Sequence, residues 1–160
     1  MKTRRLAVGA LTAAAIYAIT IIGVVPIGAL GYLNLSDALI MILLTHITPS
    51  YAVIVGGLPC ALADITTGYV HYAFPTFLIK GLEALAVALI YRRWKDTRIS
   101  CLVAIVIIAL GYGLCDLIMY GSWQVALASL GYNGLQGLLG AVLASFGNHF
   151  FKNMKDELMG

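Results

Sequence analysis

Seven polar side chains stand inside otherwise apolar stretches of this sequence: Asp37, Asp64, Lys80, Glu83, Asp116, Asn133 and Gln136. Placing an ionisable side chain mid-way along a membrane-spanning helix costs about 2.5–3.5 kcal/mol, so each needs an ion partner, water or a ligand. Lys80 and Glu83 are three residues apart, as are Asn133 and Gln136, and on a helix that spacing puts both members of a pair on one face. An ammonium, several carboxylates and two amides form a donor and acceptor set suited to a small polar ligand. They also suit plainer roles: a Lys80–Glu83 ion pair, or amides that hydrogen-bond between helices. Asp37 follows Ser36 at a helix start, where unpaired backbone amides favour a carboxylate, and it reads as a cap. Asp64, Asp116 and His71 are, in addition, the residue types an intramembrane acid–base enzyme would need.

Between Asp64 and Lys80 lies the aromatic stretch Gly68–Phe74, with Tyr69, His71 and Tyr72. Tyrosines here fit an interfacial belt, or a lid whose rings stack on a flat ligand. His46 and His149 lie near the inner helix ends, and no histidine–carboxylate pair has metal-ligand spacing. Cys60, Cys101 and Cys115 are unpaired in spacing and sit in apolar runs, as small packing residues do.

The elements that carry these residues belong in lipid. Of 160 residues, 61% are hydrophobic and 11% charged, against roughly 25% charged in soluble domains. Charge, proline and glycine divide the chain into six apolar segments, 6–25, 35–48, 51–67, 74–91, 99–120 and 122–151, which predict an all-α bundle of six transmembrane helices in a single domain, 1–160. The basic N-terminus followed by an apolar run resembles a secretory signal, but its uncharged stretch from Leu6 to Ser36 is long enough to be an uncleaved first helix. The second segment is short for a straight span and fits a tilted or partly embedded helix.

Positive residues of short loops stay on the cytoplasmic side. Lys2, Arg4 and Arg5 precede the first helix, Arg92, Arg93, Lys95 and Arg98 separate the fourth and fifth, and Lys152 and Lys155 follow the last. The alternate loops, 26–34, 68–73 and the turn at Gly121, contain neither Lys nor Arg. Six spans with both termini cytoplasmic satisfy this pattern, and the same topology puts all seven polar residues in the outer half of the membrane. Polar groups from five helices at one depth describe a hydrated cavity that opens outward. Ala10, Ala14 and Ala18 give the first helix a smooth face for close helix approach, inside the bundle or against a partner.

No phosphate loop, nucleophile elbow or zinc-binding H-E-x-x-H pattern occurs, nor a repeat of broken helices. Uphill transport by this chain would draw its energy from a partner.

The stretch GLPCALADITTGYVHYAFPTFLIKG, Gly57–Gly81, resembles the signature of substrate-binding S components of energy-coupling factor (ECF) vitamin transporters, in the broad riboflavin-type branch. Ala61, Leu62, Ala63, Asp64, Gly68, Tyr69, Pro75, Thr76, Phe77, Lys80 and Gly81 carry the match, with Phe74 where a first proline is usual; Asn133, Gln136 and Gly137 extend it into the last helix. The resemblance implies a subunit of the bacterial plasma membrane that binds a vitamin from outside. It then docks through Ala10, Ala14 and Ala18 on an EcfT-like transmembrane coupling subunit with two ATPase subunits, and releases the ligand inside. It implies no enzyme activity and no cofactor in this chain, ATP being used by the partners. The candidate ligand site is Asp64, Tyr69, His71, Tyr72, Lys80, Glu83, Asp116, Asn133 and Gln136. Its chemistry suits a pyridoxine-like or hydroxymethylpyrimidine-like molecule, with riboflavin next by branch and another vitamin close behind.

Overall fold

The computed structural model describes the backbone of residues 2–27 and 32–159 and the side chains of 3–27 and 32–147. Lys2, His149, Lys152 and Lys155, which enter the reading above, lie outside the described side chains. Six α-helices follow one another: α1 Lys2–Ile22, α2 Ser36–Leu43, α3 Pro49–Thr67, α4 Ala73–Trp94, α5 Thr97–Tyr120 and α6 Trp123–Met159. Between α1 and α2 a small antiparallel hairpin pairs β1 (Val25–Pro26) with β2 (Tyr32–Leu33), in the register Val25 to Leu33 and Pro26 to Tyr32. This hairpin is the one element that the all-α expectation lacks.

Five helices are long and apolar enough to cross a membrane. The exception is α2, whose eight residues continue into a three-residue 3-10 turn, Leu44–His46. That is well under the roughly 20 residues of a straight span. The 35–48 segment nevertheless runs from one end of α1 to the other. A Cβ at Gly23 would lie 3.5 Å from the Leu35 nitrogen, while Ile47 and Thr48 share a cleft with Arg4 and Arg5.

Burial is inverted relative to a soluble protein. Ile118 is 75% exposed and Lys80 only 1%, and the outward surface of the helices is Leu, Ile, Val and Phe. Lipid is the solvent that makes such a surface favourable, and helices are the form that satisfies the backbone there. The interior is a cluster built on Ile16, Ile40, Met41, Leu44, Val55, Val87 and Ile108.

Small residues decide which helices lie closest. A Cβ at Gly57 of α3 would stand 2.5 Å from the Phe77 carbonyl oxygen of α4, so only glycine permits that crossing. Gly140 of α6 does the same for α2: a Cβ there would come within 2.9 Å of the Asp37 Cβ. Helix ends follow ordinary chemistry. Pro49 opens α3, where its missing N–H costs nothing. Asp96 caps α5 by accepting from the Arg98 N–H at 2.7 Å, and Gly68 closes α3 in the left-handed conformation at φ 90°.

Candidate functional site

Two tiers of polar side chains occupy the bundle beneath the hairpin. The lower tier centres on Lys80 of α4. Its ammonium donates to Asp37 Oδ1 on α2 and lies 3.3 Å from Glu83 Oε2, one turn along its own helix. Gln136 of α6 donates from Nε2 to Asp37 Oδ2 at 2.5 Å, and its Oε1 accepts from the Asn34 N–H at 2.9 Å. The Asn34 side chain in turn accepts from the Ser36 N–H at 2.9 Å. The cap expectation for Asp37 is therefore corrected. Asn34 serves the first amide of α2, and both Asp37 oxygens are occupied by Lys80 and Gln136 from other helices. Lys80 and Glu83 do meet, but Asp37 is the closer carboxylate.

The upper tier pairs tyrosines with carboxylates. Tyr32, at the end of the hairpin, donates its hydroxyl to Asp64 Oδ1 of α3 at 2.6 Å. Tyr72, in the 3-10 turn Val70–Tyr72, donates to Asp116 Oδ1 of α5 at 2.6 Å. Tyr112 donates to Thr76 Oγ1 at 3.1 Å, and Asn133 Nδ2 donates back to the Ser129 carbonyl at 2.9 Å. Burial, reinforced by the Asp64 carboxylate, holds the Tyr32 phenol well above its ordinary pKa, so it remains a hydrogen-bond donor at neutral pH.

Between the tiers is a cavity of about 40 Å³, and Asp64, Tyr72, Lys80, Asp116, Asn133 and Gln136 line it. Tyr69, His71 and Glu83, expected at the same site, are off this lining. Tyr69 packs at 5.1 Å against Tyr32 with the rings tilted by 50°, His71 is exposed at 4.7 Å from the Tyr72 ring, and Glu83 lies behind Lys80, fully buried. The Gly68–Phe74 stretch is thus a tight turn whose Tyr72 reaches inward, while α4 begins already at Ala73. Sequence reasoning missed Tyr32, Asn34, Thr76 and Tyr112, which also line the cavity. Thr76 and Tyr112 lie four residues before Lys80 and Asp116, on the same helical faces, and that spacing was a readable signal. Nothing local marks Tyr32, whose partner lies 32 residues away; Asn34, two residues before the Ser36 amide that it accepts from, stands where helix-start residues do, but its backbone link to Gln136 spans 102 residues.

Among the described residues, the buried oxygens left without a hydrogen-bond partner are Ser36 Oγ, Asp64 Oδ2 and both oxygens of Glu83. No group of three or more His, Cys, Asp or Glu placed to hold a metal occurs among the described residues. The one ammonium in the cavity wall is already engaged by two carboxylates, whereas Asp64 still has an acceptor oxygen to offer.

A family model for the ECF-type riboflavin transporter S component matches residues 1–146. The chain belongs to this family. It is accordingly a multi-pass protein of the bacterial plasma membrane, in a family of substrate-binding transporter subunits. The thiamine precursor transporter HmpT of Lactococcus lactis subsp. cremoris (strain MG1363) is 34% identical over 93 residues, which cover 58% of this chain and 53% of HmpT. The chain thus spans about half the length of that curated relative. A solved structure described as the S component of a bacterial ECF transporter superposes with a TM-score of 0.75, covering 96% of this chain and 98% of the other at 20% identity. At that identity the likeness concerns the fold.

Proposed function

We propose that this S component captures hydroxymethylpyrimidine, the pyrimidine precursor of thiamine, in the cavity between the hairpin and the Lys80 tier. The observation that carries this reading is the buried Asp64 Oδ2, an acceptor in the cavity wall with no partner at hydrogen-bond distance. An exocyclic ring amine supplies the missing N–H, while ring nitrogens and a hydroxymethyl group suit the amides of Asn133 and Gln136. Pyridoxine offers ring nitrogen and hydroxyls but no such amine, and the likeness to a thiamine precursor transporter favours the pyrimidine. Riboflavin is the second reading, favoured by the family's description. At about 40 Å³ the cavity is small, which favours the smaller ligand.

The chain crosses the membrane six times with both termini cytoplasmic and the cavity facing out. Arg4, Arg5, Arg92 and Lys95 gather around adjoining clefts at the end of the bundle away from the cavity, which supports that orientation. Ala10, Ala14 and Ala18 are all exposed on α1, available to an EcfT-like coupling subunit, and two partner ATPases drive release inside.

Equilibrium dialysis of the detergent-purified protein with radiolabelled hydroxymethylpyrimidine, pyridoxine and riboflavin tests the ligand. The pyrimidine should be retained, and Asp64→Asn and Asn133→Ala should each weaken it roughly tenfold, the worth of about one hydrogen bond to a charged or buried group. Retention of riboflavin or pyridoxine without the pyrimidine overturns the assignment.

A further inference from the structure

At the end opposite the cavity, two clefts of about 350 and 300 Å³ adjoin each other and share Arg5, His46, Ile47 and Thr48. One extends to Arg4 and the other to Arg92 and Lys95, so the start of α1, the α2–α3 connection and the end of α4 all contribute cations. Among the described residues no acidic side chain lines either cleft. Among the described residues none of these arginines or Lys95 is in an ion pair, the ion pairs there being those of Lys80. The nearest acid in sequence, Asp96, lies outside both linings and accepts through Oδ1 from the Arg98 N–H as the cap of α5. Val8, Gly9 and Ala88 make part of the walls apolar.

Lys95 adds an independent sign. It is the one non-glycine residue among those described with positive φ, at 56°, in a position where glycine ends helices without strain. A lysine there accepts backbone strain and sets its ammonium at the cleft, 5.3 Å from the Tyr91 ring centroid.

We propose that these clefts bind the phosphate headgroup of an anionic phospholipid, one lipid bridging α1 and α4. Clustered unpaired cations fit a phosphodiester, and the apolar walls fit the glycerol and first methylenes that a free anion lacks. Assignment to the inner leaflet rests on the orientation proposed above. Retention in micelles has no sidedness, so an error in orientation would not abolish it.

The full chain, purified in mixed micelles of phosphatidylglycerol and phosphatidylcholine, is examined by native mass spectrometry. Phosphatidylglycerol should be retained preferentially. Arg5→Gln with Arg92→Gln should lower that preference roughly 30-fold, at about 1 kcal/mol per cation, while Arg93→Gln with Arg98→Gln, the same charge change off the clefts, should leave it intact. Equal retention of both lipids, or equal loss in the two double variants, overturns the site. Full displacement by millimolar inorganic phosphate overturns the lipid assignment and leaves a small-anion site. Unchanged hydroxymethylpyrimidine binding and melting in the Arg5→Gln/Arg92→Gln variant show that the loss is not misfolding.

Discussion

Replacing Lys80 with methionine removes the cation of the lower tier and leaves its shape. At 3.3 Å and an effective dielectric near 20, the Lys80–Glu83 attraction alone is about 5 kcal/mol, and Asp37 lies closer still. Against this stands the desolvation of a fully buried ammonium, several kcal/mol, which methionine does not incur. The balance is the loss measured when one partner of a buried pair is deleted, about 3–5 kcal/mol, a large share of the 5–15 kcal/mol that holds a domain folded. At roughly 2–4 °C per kcal/mol for a chain of this size, Lys80→Met should melt about 6–20 °C below wild type in detergent. Neutralising all three groups, Asp37→Asn/Lys80→Met/Glu83→Gln, should recover most of that loss, because no unpaired charge remains buried. The triple variant should also still bind ligand, since the wild-type ammonium is engaged by Asp37 and Glu83 and methionine keeps the shape of Lys80 in the cavity wall. A Lys80→Met melting point within about 2 °C of wild type, or a triple variant no more stable than the single one, refutes this account of the triad.

Tyr32→Phe leaves Asp64 with both oxygens unpaired and should cost about 1–3 kcal/mol in the ligand-free protein, read as a lower melting point that saturating ligand partly restores. Gly57→Val forces α3 from α4, where a Cβ already meets a backbone carbonyl, and should cost at least 1–3 kcal/mol by thermal unfolding. Ala14→Trp, on the exposed face of α1, should leave ligand binding unchanged and abolish uptake in cells that supply the coupling subunit and ATPases; uptake at the wild-type rate removes α1 as the docking face.

What could be read from the chain was whatever repeats along one helix. The apolar segments, the basic loops and the Gly57–Gly81 spacing are local patterns, and the helices α1, α3, α4, α5 and α6 follow them closely. Asp64, Lys80, Asp116, Asn133 and Gln136 do converge on one cavity, because placing each of them by depth needed only helix direction. The roles inside the cluster were not legible. Asp37 looked like a cap because its neighbours in sequence suggest one, and only the close approach that Gly140 permits brings α6, and Gln136 with it, against the start of α2. The hairpin was invisible for a related reason: two-residue strands have no periodicity, and Tyr32 is recognisable only by the carboxylate 32 residues away.

The brevity of α2 bears on how the protein is made. A segment of eight helical residues and one 3-10 turn is a poor candidate for lateral release into lipid by itself. Its carboxylate meets Lys80 only 43 residues later in synthesis, and Gln136 only after 99. Asp37 therefore lacks its ammonium partner until α4 has emerged and its amide partner until α6 has, so the binding cavity closes only when the last helix arrives. Truncations of the nascent chain before α6 should leave α2 accessible to aqueous thiol reagents from an Asp37→Cys position, and completion of α6 should hide it.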